Sequence, residues 1–179
     1  MSGKISRRYI AFLRAINVGG HRVKMDRLRA LFEELRFRNV ETFIASGNVI
    51  FETASTEPDA LERRIGKHLE KALGYAVAVF LRTPDELVAI AAYVPFPDED
   101  MSAGGLHVVF LGATPDAAFT AAVNAFHTPA DRFHVHGREI YWYCRTKFSE
   151  SLGFPDVAKK TPATARNINM VRKLAVKYV

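Results

Sequence analysis

Cysteine is all but missing from this chain. Cys144 is the only one in 179 residues, which excludes an intrachain disulfide and a cysteine-based zinc site. Long apolar runs are missing too: stretches such as residues 76–81 fall far short of the roughly 20 residues a bilayer-spanning helix needs, so no membrane partner is expected. The opening residues, MSGKISRRYIAFLRAIN, return to charge at Arg14 before a signal-peptide apolar core can form, and the reading predicts a cytoplasmic globular protein. Nucleotide signatures are absent as well. Residues 17–24 lack the second glycine and the Lys-Ser/Thr pair of a phosphate loop, and no G-x-G-x-x-G occurs. An RNA-recognition surface would need stacking aromatics where SGNVIF, residues 46–51, has Asn and Ile.

What remains is apolar residues at 49%, enough for a substantial core, and a net charge of +6 that is unevenly placed. Residues 1–38 hold 10 Lys and Arg against 3 Asp and Glu, residues 39–144 hold 7 against 14, and residues 145–179 hold 8 against 2. Two basic ends around an acidic middle suit an anionic small molecule or nucleic acid as partner.

The periodicities give an order of elements. Residues 9–16 read as a strand, followed by Asn17-Val18-Gly19-Gly20 and a helix carrying Met25, Leu28, Leu31, Phe32 and Leu35 on one face. Residues 40–45 and 49–52 read as a hairpin around Ser46-Gly47-Asn48. Thr56 is placed to cap a second helix with Leu61, Ile65 and Leu69 on its stripe and Gly74 as its stop, and residues 76–81 complete βαββαβ. Thr83-Pro84-Asp85-Glu86 opens a connecting helix, and residues 95–105 read as an exposed connector. The pattern then restarts: LHVVFL resembles YIAFL, Thr114-Pro115 opens a helix, and FHVHGREIY aligns with FIASGNVIF, Gly137 over Gly47. The fold class expected is α+β, two ferredoxin-like split βαβ subdomains in tandem with a C-terminal helical tail, through internal duplication. The expected divisions are residues 1–82, a connector at 83–105, and 106–179. In the tail, residues 148–152 and 164–178 read as helices, the second burying Ile168, Val171, Leu174 and Tyr178.

LRAINVGG, the helix from Met25, SGNVIF and the late TARNINMVRKL together resemble the bacterial domain-of-unknown-function family 1697. The resemblance implies two ferredoxin-like subdomains and brings no reaction with it. This chain departs from that family's pattern at Arg36, where glycine is usual, and at Arg166-Asn167-Ile168-Asn169-Met170-Val171, where the pattern reads RNWNTV.

In a βαββαβ unit the first and third strands are antiparallel neighbours, so Arg14, Asn17, His21, Lys24, Ser46 and Asn48 should share one rim with the start of the first helix. Cations beside free helix N–H groups suit an anionic or phosphate-bearing ligand, although Asn, Ser and Gly are also the ordinary turn formers. A second cluster, Lys147, Arg166 and Asn167, would serve an enzyme site between the halves, with Arg166 and Asn167 both pointing from a first helical turn. A third reading is an interaction module that pairs an exposed sheet edge. His134 and His136 share one strand face and His107 lies on a nearby strand, but no carboxylate or thiol completes a metal set. Asp98, Glu99 and Asp100 read as a solvated carboxylate run. No metal or cofactor is implied, and the oligomeric state is not written in these patterns.

Overall fold

The structure is a computed structural model that describes residues 6–17, 20–44, 47–146 and 154–178. Two of the candidate residues, Ser46 and Lys147, and the helix expected over residues 148–152 lie outside the described residues. The chain forms two compact units, Met1–Pro84 and Asp85–Val179. Each carries a four-stranded antiparallel sheet of the same strand order.

In the first unit β1 (Arg7–Leu13) leads to α1 (Met25–Glu34), the hairpin β2 (Arg38–Thr42) and β3 (Asn48–Thr53), α2 (Pro58–Leu73) and β4 (Val79–Arg82). Strands lie in the order β2-β3-β1-β4, the βαββαβ arrangement read from the sequence. Alternation along β1 sends Tyr9, Ala11 and Leu13 into a core with Leu28, Leu31 and Phe32 of α1 and Leu61, Ile65 and Leu69 of α2. The expected cap of α2 is corrected. Its N-cap is Glu57, without a side-chain cap bond, and Pro58 begins the helix, a position where its missing N–H costs nothing. Gly74 ends α2 in the left-handed conformation, φ 81, as expected. Residues 76–78 fall outside β4.

The second unit holds α3 (Pro84–Ala92), β5 (Gly105–Leu111), α4 (Ala117–Ala125), β6 (Asp131–His136), β7 (Glu139–Cys144), α5 (Asp156–Lys159), β8 (Ala163–Asn167) and α6 (Ile168–Tyr178). Its order is β6-β7-β5-β8. Thr164 to Asn167 are therefore strand, not the first turn of a helix, and the tail completes the second sheet. Pairing with β5, from His107↔Asn167 to Leu111↔Ala163, imposes the extended form on a segment with no strong β-formers beyond Thr164. α6 then buries Ile168, Val171, Leu174 and Tyr178, the residues read from the sequence. α4 begins after Asp116, whose carboxylate accepts from Phe119 N at 2.7 Å; Thr114 is not its cap.

The register also corrects the alignment of Gly47 over Gly137. Phe12 pairs Asn48, whereas Phe110 pairs Glu139, one position away from what the glycines suggest. The first hairpin closes at Thr42↔Val49 with a six-residue loop; the second closes at His136↔Glu139 with only Gly137 and Arg138 between. Glycine marks the turn in both, but the loop lengths differ. Val49 and Phe51 correspond to Ile140 and Trp142, which face the second core beside Phe133 and Val123.

Helix side chains serve the sheet edges. Glu62 of α2 accepts from Leu81 N on β4 at 2.7 Å, and Asn124 of α4 accepts from Val135 N on β6 at 2.7 Å. β2 carries Arg38, Glu41 and a bulge with Asn39 at φ 48, devices that discourage pairing with another chain.

Candidate functional site

One end of the first sheet gathers an unusual run of left-handed backbone. Ala15 (φ 68), Asn17 (φ 59) and Gly20 (φ 87) lie in the loop after β1, while Ile44 (φ 57) and Gly47 (φ 76) lie in the hairpin beside it. Non-glycine residues seldom adopt this conformation, so the surroundings must hold it. Leu13 N donates to Gly47 O and Arg14 N to Ala78 O, both at 2.9 Å. Asn17 Oδ1 accepts from Val23 N at 2.7 Å, which ties the loop to the start of α1. A Cβ at Gly47 would stand 3.1 Å from Ile16 Cβ and 3.3 Å from Leu13 Cβ, so loop and hairpin meet closely there.

The described residues of the expected rim take different roles. Arg14 and Lys24 are exposed cations. Lys24 is the N-cap of α1 with an extended backbone and no side-chain cap bond, so its own side chain does not occupy the first-turn N–H groups. Asn48 is fully buried, its Nδ2 donating to Phe43 O at 3.0 Å, and braces the hairpin from beneath. His21 was expected on the rim, but its partner was not: the His21 ring stacks on Tyr75 at 3.9 Å between centroids, and the Tyr75 hydroxyl is buried with no hydrogen-bond partner among the described residues.

The tail residues separate. Arg166 and Asn167 are adjacent on a strand and so face opposite sides. Arg166 is buried, donates to Thr164 Oγ1 at 2.7 Å and to Ala165 O at 2.8 Å, and burial pushes its pKa down to about 10, so the guanidinium stays charged at neutral pH. Arg82 is its counterpart on β4: buried, opposite Ile10 as Arg166 is opposite Val108, and donating to Leu81 O at 2.7 Å. Asn167 is exposed, its Oδ1 accepting from Asn169 N at 2.9 Å.

The histidines do not converge. His134 lies opposite Tyr141, while His107 lies opposite Trp142, on the other face of the sheet. The partner of the His134-x-His136 pair is Tyr93, which stacks on His136 at 4.0 Å and whose hydroxyl lies 2.7 Å from His134 Nε2. Burial and the neighbouring His136 hold His134 below the ordinary histidine range, and its Nε2 and the Tyr93 hydroxyl share one hydrogen bond. The spacing of the histidines was legible, but the aromatic partner, 41 residues away, was not. The carboxylate run is not merely solvated: Glu99 pairs with Arg145 and with Arg132.

A family model described as "Protein of unknown function (DUF1697)" matches residues 7–141. The chain belongs to this family. The solved structure of a conserved bacterial protein from Streptococcus pneumoniae is similar at a TM-score of 0.74 and 21% identity, covering 96% of this chain and 98% of that one, a likeness in fold. No curated protein matches. Where the family pattern has glycine after the first helix, Arg36 adopts φ 63, so the departure in sequence leaves the backbone in the conformation that glycine favours. Among the described residues no helix is long and apolar enough to cross a membrane.

Proposed function

We propose that this protein binds an anionic, phosphate-bearing ligand at the loop rim of its first unit. The observation that carries the reading is the cluster of left-handed residues, Ala15, Asn17, Gly20, Ile44 and Gly47, around one end of a sheet. Left-handed turns bring successive N–H groups to one side and form concavities suited to anions, and backbone strain concentrates where a ligand is bound. Arg14 and Lys24 supply the charge, and the first turn of α1 supplies further donors. Asn17 and Asn48 act on the protein's side of the site, fixing the loop and the hairpin through Val23 N and Phe43 O. The matching strand orders of the two sheets support an origin by internal duplication, and the rim belongs to the first copy, whose longer hairpin the second lacks.

Differential scanning fluorimetry with inorganic phosphate, nucleotides and sugar phosphates tests the reading. A ligand at about 100 times its Kd adds about 2.7 kcal/mol, a rise of several degrees in a chain of this size. Arg14→Ala and Lys24→Ala should each reduce the rise. A flat response across the panel would overturn the proposal.

A further inference from the structure

A cavity in the second unit has a different chemistry. It measures about 300 Å³ and lies between the start of α6 and the segment following α3, close to the lower end of small-molecule pockets, roughly 300–1,000 Å³. Its apolar lining includes Met101, Leu106 and Ile168, and its polar lining Asn167, Asn169 and Arg172. Asn169 and Arg172 are three apart on α6 and so share a face.

These polar groups are largely uncommitted among the described residues. Arg172 donates through Nε to Ala91 O at 3.4 Å, which anchors the guanidinium by one corner and leaves both terminal nitrogens free to form a fork. Asn167 uses its Oδ1 on Asn169 N, leaving Nδ2 to donate. The Asn169 side chain has no partner among the described residues.

The wall is built in advance. Tyr143 Oη donates to Asp100 O at 3.2 Å, and Glu99 pairs with Arg145 and with Arg132, holding the segment against β6 and β7. Gly104 closes that contact: a Cβ there would clash with Cys144 O and stand 2.8 Å from the Tyr143 ring. Side-chain ordering on binding is thereby reduced, which favours affinity.

We propose that this cavity binds a small carboxylate carried on an apolar or aromatic body. Arg172 forms the bidentate pair that a planar carboxylate accepts, the two asparagine amides flank it, and Met101, Leu106 and Ile168 take the body. A single cation with two neutral amides matches one negative charge better than two. The proposal is independent of the rim in the first unit.

Titration of the full chain with sodium benzoate, followed by amide NMR, decides the matter. Saturable shifts should centre on Met101, Leu106, Ile168 and Asn169, with affinity at least tenfold weaker in Arg172→Met and in Asn169→Asp. The second variant separates binding from folding, because a carboxylate in the first turn of α6 favours the helix while repelling the ligand; its melting temperature should hold or rise. Arg14→Ala should leave the benzoate titration unchanged. Benzoate shifts that do not saturate, affinity unchanged in both variants, or inorganic phosphate binding the same residues as tightly as benzoate would each overturn the proposal.

Discussion

Arg36 follows the C-cap of α1 at φ 63, its N–H donating to Glu33 O at 2.8 Å. An L-residue there carries a steric cost of about 1–2 kcal/mol that glycine avoids, and the Arg36 side chain is exposed. Arg36→Gly should therefore stabilise the protein by about 1 kcal/mol, raising the calorimetric midpoint by about 2–4 °C, while Arg36→Ala should gain little. Gly104 presents the opposite case. Gly104→Ala should lower stability by at least 1–3 kcal/mol, the usual range for overpacking, in urea unfolding, since the atoms it meets are the Cys144 carbonyl and the Arg145 Cα. Titration adds a third expectation. Burial holds His107 below the ordinary histidine value, and burial with His136 does the same to His134. Below the unfolded pKa of about 6.5 the unfolded chain binds more protons than the native one, so stability is full above that pH and falls as pH drops through the lower folded values. His107→Gln should flatten the fall between about pH 7.5 and pH 5 in chemical denaturation. An unchanged slope would remove His107 from the cause.

The elements show which parts of the chain announce themselves. α1 and α2 were legible because their apolar residues recur at helical spacing and Gly74 stops the second, and β1, β5, β6 and β7 were legible from alternating or continuous apolar runs. β8 was not. Thr164-Ala165-Arg166-Asn167 is short and polar, and its extended form comes from β5 rather than from its own propensity. That one misreading displaced the second candidate cluster, since a strand parts Arg166 from Asn167 where a helix cap would have joined them. That the loop after β1 lies beside the first hairpin was legible because strand adjacency follows from βαββαβ order, whereas the left-handed φ values of Ala15 and Ile44 have no signature in residue type. Edge support gives a prediction at this scale. Asn124→Leu removes the acceptor for Val135 N and should cost about 1–3 kcal/mol through an orphaned donor, whereas Asn124→Asp, which keeps the oxygen, should cost less; equal losses in thermal unfolding would disprove the bond's role.

For the whole molecule, a net charge of +6 with basic ends predicts that any association with DNA or RNA weakens steeply with salt and shows no base preference. Fluorescence anisotropy across a salt series checks this, and a complex that persists unchanged at high salt would contradict it. Sheet-edge recruitment of another chain finds little support, because the bulge on β2 and the side chains of Glu62 and Asn124 occupy three edges. The same arrangement extends to the rate at which amides trade hydrogen for deuterium. Edge-strand amides ordinarily exchange quickly, yet Leu81 and Val135 are each held by a helix side chain and can be released only when α2 or α4 lifts away. Their exchange should therefore report the opening of those helices, so that two amides on the sheet margins become gauges of how each layer of helix stays seated on its sheet.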